Sequence, residues 1–119
     1  MPWLPPAFTG PPIALDIEWL VSTEDMANLM RRIRNLDDPT AREIMAVIIA
    51  VPDNLSRGWQ YIGYRGGSEP GVINLSWLLQ DRTGEWHVVT LSWNNPDAPV
   101  DPEVFRALAR RAIALAGPE

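Results

Sequence analysis

Apolar residues recur along this chain at two spacings, and the change from one to the other near residue 59 divides it. From Ser22 onward, Met26, Leu29, Met30 and Ile33 fall at the i, i+3, i+4, i+7 positions of an amphipathic helix. Ser22 with Asp25 three residues on forms a near capping box at its start, the other face is rich in arginine, and Asp37-Asp38-Pro39 ends it. Thr40 and Glu43 form a second capping box, and Ile44, Val47, Ile48 and Val51 repeat the helical spacing until Pro52 stops it. Two amphipathic helices are therefore predicted in tandem.

From residue 59 the period becomes two. Trp59 to Tyr64 predicts a short aromatic strand, and residues 66–71 (Gly-Gly-Ser-Glu-Pro-Gly) predict a flexible turn. Val72 to Leu79 sets Ile73, Leu75, Trp77 and Leu79 against Asn74 and Ser76. Asp81-Arg82-Thr83-Gly84 reads as a hairpin loop, and Trp86 to Trp93 as a third strand. Asp101 then N-caps a last helix with Pro102 in its first turn, along which Phe105, Leu108, Ala109, Ala112 and Ile113 form one stripe. Upstream, residues 1–12 carry five prolines and predict an extended arm. Ile13, Leu15 and Ile17 alternate with polar or small residues and could add a fourth, N-terminal strand. The predicted fold class is α+β: a three-stranded antiparallel meander with two preceding helices and one C-terminal helix, forming a single domain over residues 13–119.

Composition narrows the function. A net charge of −5 gives no electrostatic footprint for nucleic acid or anionic lipid. Without cysteine there is no thiolate catalysis and no cysteine-ligated zinc, and one histidine among scattered carboxylates shows no metal-ligand spacing, so neither a metal nor a cofactor is expected. The proline-broken start has no positive n-region and no apolar run, which makes a cytoplasmic location the expectation and membrane insertion unexpected.

The order helix, helix, meander, helix resembles the C-terminal part of class A β-lactamases and other penicillin-recognising serine hydrolases. Ser22-Thr23-Glu24-Asp25-Met26-Ala27 is similar to the start of a late helix in that family. Arg65-Gly66-Gly67 falls where its Lys-[Ser/Thr]-Gly stands, and the run from Arg65 to Val72 resembles a Lys-Gly-Gly-Ser-x-Pro-Gly-Val turn of a related branch. The resemblance covers roughly residues 13–116. It implies a ligand-binding edge at Arg65, Gly66 and Gly67 that receives a carboxylate.

The departures from the family are chemical. All ten basic residues are arginine, so no Ser-x-x-Lys exists to activate a nucleophile, and Gly66 removes the hydroxyl that would adjoin the cation. β-Lactam hydrolysis is accordingly not expected. At most, weak ester cleavage is expected in a cleft near Arg65 and Ser68, with Ser68 the candidate nucleophile. The alternative is a catalytically silent binding or assembly domain. A Ser68–His87–Glu69 arrangement within one chain fails on geometry, since about seven residues at roughly 3.3 Å each separate the two ends of the meander. His87 reads better as a packed or surface strand residue. Trp59, Trp77, Trp86 and Trp93 read as sheet residues beneath helices. Finally, Trp86 to Trp93 would be an open edge unless Ile13 to Trp19 of the same or a second chain pairs with it, so a homodimer is expected.

Overall fold

The computed structural model describes residues 21–118. The proline-rich arm and the fourth strand expected at Ile13 to Trp19 lie outside them. In chain order the elements are α1 (Thr23–Arg34), α2 (Thr40–Met45), α3 (Asp53–Ser56), β1 (Trp59–Glu69), β2 (Val72–Asp81), β3 (Trp86–Asn94) and α4 (Pro102–Ala116). The strands form one antiparallel sheet in the order β1-β2-β3. The fold class is thus the α+β meander expected, with one extra single-turn helix, α3.

Local chemistry accounts for the helix ends. At α1 the Ser22 hydroxyl accepts the Asp25 N–H while the Asp25 carboxylate accepts the Ser22 N–H, so both halves of the capping box are present. Those bonds to Ser22 hold the Asp25 carboxyl below its usual range. At α4 Asp101 accepts from the N–H groups of Glu103 and Val104, with Pro102 in the first turn. The C-terminus of α1 is closed differently: the Arg42 guanidinium donates to the carbonyls of Ile33, Arg34 and Leu36. The Arg42 carbonyl in turn accepts the Tyr61 hydroxyl at 2.7 Å, tying α1, α2 and the sheet together, and burial pushes that phenol's pKa up.

Strand alternation gives the sheet two unlike faces. Ile73, Leu75, Trp77 and Leu79 of β2 join Trp59 and Ile62 of β1 and pack with Phe105, Ala109 and Ile113 of α4 to form the main core. On the opposite face lies Leu78, with no exposed surface, beneath α1, whose Met30 is also buried. Arg34 of α1 stacks over the Trp86 ring at 5.6 Å on this face. The four strand tryptophans do cover helices as expected: Trp59, Trp77 and Trp93 on the α4 side, Trp86 on the α1 side.

Two expectations need correction. The helix predicted from Thr40 to Val51 stops at Met45, and its capping box does not form: Pro39 is the cap, and Thr40 bonds to Asp38 instead of Glu43. Beyond Met45 the chain crosses the outer edge of β1. Ala50 adopts a left-handed φ of 54°, and the Ile49 carbonyl accepts the indole N–H of Trp77 on the α4 side. Of the stripe that should have been buried, Ile44, Val47 and Ile48 therefore face outward, exposed by 66%, 78% and 73%, while Val51 joins the core.

The second correction concerns residues 66–71, predicted as a turn. β1 runs on to Glu69, and the turn is Pro70-Gly71 alone, with Gly71 at φ 83°. Tyrosine rings take the place of missing side chains along this strand: Tyr61 lies over Gly63 and Tyr64 over Gly66, where any Cβ would collide with the ring. Gly67 has nothing near its missing Cβ.

Candidate functional site

The strand register decides which candidate residues can act together. Arg65 pairs with Ser76 and Ser68 with Ile73, and residues three apart in a strand point to opposite faces. Arg65 therefore shares the α1 face with Ser76, while Ser68 shares the α4 face with Ile73. The two residues expected in a single cleft line separate depressions. Arg65, Tyr64 and Gly66 border an open cleft of about 400 Å³ with Ile44, Met45, Val47 and Ile48. Ser68, with Glu69, Pro70 and Pro99, borders a shallower one of about 250 Å³.

Neither the Arg65 guanidinium nor the Ser68 hydroxyl makes a hydrogen bond or ion pair among the described residues; the ion pairs there are His87–Asp81 and Arg106–Glu103. A hydroxyl does stand across from Arg65, that of Ser76, but it is buried and already bonded to Asn74 and Thr90. Gly67, whose missing Cβ would meet nothing, keeps the backbone near Arg65 open to approach, whereas the Tyr64 ring covers Gly66. The Arg65 cleft is thus apolar on one wall with a cation at its rim, a form suited to a carboxylate carrying a short apolar group.

His87 lies far from Ser68. It pairs with Leu79, six residues along β2 from the partner of Ser68, or roughly 20 Å at about 3.3 Å per residue. Its partner is Asp81, a relation the sequence reading missed. Nε2 of His87 donates to Oδ2 of Asp81 at 2.8 Å, and the ring meets Trp59 edge-on at 5.5 Å. The other oxygen of Asp81 accepts the Thr83 N–H, the Thr83 hydroxyl and the Glu85 N–H. The bonds from Thr83 and then His87 hold the Asp81 carboxyl far below its usual range. A signal for this was present: Asp two residues before Thr in a hairpin loop is an Asx-turn arrangement.

Asp81, Glu85 and His87 offer ligand atoms within 4.8 Å of one another. Both Asp81 oxygens, however, are engaged, Oδ1 by Thr83 and the Glu85 N–H and Oδ2 by His87, and those bonds hold Asp81 and His87 together without an ion. No helix among the described residues is long and apolar enough to cross a membrane.

Compared with known proteins, the chain matches no family model and no curated protein.

Proposed function

We propose that the protein is a catalytically silent relative of the penicillin-recognising serine hydrolases that binds small amphiphilic carboxylates at Arg65. The observation that carries this reading is the placement of Arg65: a cation with no side-chain partner among the described residues, at the rim of a cleft walled by Ile44, Val47 and Ile48. A guanidinium suits a carboxylate, which it can grip through two N–H groups, and cannot act as a proton shuttle near neutral pH. Ser68 faces the other side of the sheet, and neither a histidine nor a lysine stands near enough to activate it.

Titration with hexanoate, followed by NMR of the Arg65, Gly66 and Gly67 amides, tests the binding. Saturable shifts are expected there, weakened roughly tenfold in Arg65→Gln, as loss of a charge-assisted hydrogen bond implies. Shifts equal in both proteins would overturn the reading. In parallel, an activated short-chain aryl ester and a chromogenic cephalosporin are offered as substrates. No β-lactam turnover is expected, because no serine has a lysine one helical turn away. Ester cleavage lost in Ser68→Ala would instead favour a remodelled hydrolase.

A further inference from the structure

β1 is an edge strand of the described sheet, and no described strand pairs with the outer side of its last stretch, Arg65 to Glu69, beyond the point near Trp77 where the segment following α2 crosses the edge. An open edge of this length is a template for another strand. We infer that its occupant is the same stretch of a second copy, paired antiparallel about a two-fold axis at Gly67. The assignment rests on how the residues match when the strand meets itself.

With Gly67 opposite Gly67 of the second copy, Arg65 of each chain stands opposite Glu69 of the other. Both side chains lie on the α1 face, so the contact makes two reciprocal ion pairs from one sequence. A two-residue turn makes Glu69 and Val72 a hydrogen-bonded pair, which directs the backbone groups of Gly66 and Ser68 away from β2. In the same register Gly66 opposes Ser68, and the two exchange those outward N–H and C=O groups. The Arg65–Glu69 positions then become non-hydrogen-bonded pairs, where side chains approach most closely. Small residues at 66, 67 and 68 let the backbones meet without steric cost.

One step further along, Tyr64 opposes Pro70 of the second copy. That proline, at the tip of the β1–β2 turn, arrives beside the cleft walled by Ile44, Val47 and Ile48. The outward apolar stripe and the open edge are thereby covered by one contact, and two three-stranded sheets become a single six-stranded one. The pairing also engages Arg65, so a bound carboxylate and a second copy compete for it; the dimer itself needs no ligand, and its test uses none.

Light scattering coupled to size exclusion, from low to high micromolar concentration, is expected to show a monomer–dimer equilibrium. Glu69→Arg and Arg65→Glu each place like charges opposite and should raise the dimer dissociation constant by about tenfold or more. The double variant Arg65→Glu/Glu69→Arg restores opposite charges and should recover the wild-type value, with circular dichroism verifying that all variants fold. Amide exchange at Gly66 and Ser68 should slow in the dimer. A monomer at every concentration overturns the inference. So does a dimer that both single variants leave unchanged, which would point to another surface such as the β3 edge.

Discussion

The two ends of the sheet are built on opposite terms. At the β2–β3 hairpin, Asp81 is 1% exposed and each of its oxygens is engaged, so loop, strand and histidine form a closed network. At the β1–β2 end, Arg65 and Ser68 are exposed with no side-chain partner among the described residues, and Ile44, Val47 and Ile48 beside the Arg65 cleft face outward. Both ends carry charge, yet at one it is spent on structure and at the other it is available. A conspicuous arrangement of titratable groups is therefore no guide to function by itself. The histidine–carboxylate pair, which invites a catalytic reading, is the better explained structurally.

Replacing Asp81 with Ala is expected to have the largest effect. Thr83, Glu85 and His87 would lose their acceptor at once, in a site with little access for water, and the melting temperature should fall by several degrees or more. Retention of the wild-type melting temperature would break the contrast. The pH dependence sharpens it. A carboxyl whose folded pKa is depressed contributes stability in full above the unfolded range, near pH 4, and loses it as pH falls toward the folded value. Thermal melts from pH 6 down to 2 should thus decline more steeply for the wild type than for Asp81→Asn.

Within the open end, Gly66→Ala should cost on the order of 1–3 kcal/mol, because the added methyl displaces the Tyr64 ring, whereas Gly67→Ala should stay within about 0.5 kcal/mol. Equal costs at both positions, in denaturant melts, would mean that the tyrosine does not hold its place. The smallest effects belong to Arg65→Ala and Ser68→Ala, within about 0.5 kcal/mol of wild-type stability in the same melts. A large loss at Arg65 would show that it is structural after all.

Much of this was legible in the sequence, for identifiable reasons. The capping box at Ser22-Asp25, the N-cap at Asp101-Pro102 and the turn chemistry at Asp81-Gly84 are local, and they placed α1, α4 and the second hairpin correctly. The Gly66–Gly67 pair misled because glycine ordinarily signals a turn; what makes it strand is the tyrosine two residues earlier, whose ring covers the bare backbone. The stripe of Ile44, Val47 and Ile48 misled because periodicity reports amphipathicity and does not say that the apolar side meets this chain's own core. The separation of Arg65 from Ser68 was readable all along in the parity of their numbers, once both were known to lie in one strand.

The Arg42 bridge bears on the order in which the molecule assembles. The closing carbonyls of α1 find their donor in a guanidinium six to nine residues later, whose own carbonyl awaits a tyrosine nineteen residues beyond it. The end of the first helix is therefore completed by a strand that the ribosome has yet to deliver. Helix terminus and edge strand should open and close together, as one cooperative unit, with matching hydrogen-exchange rates at Leu36 and Tyr61.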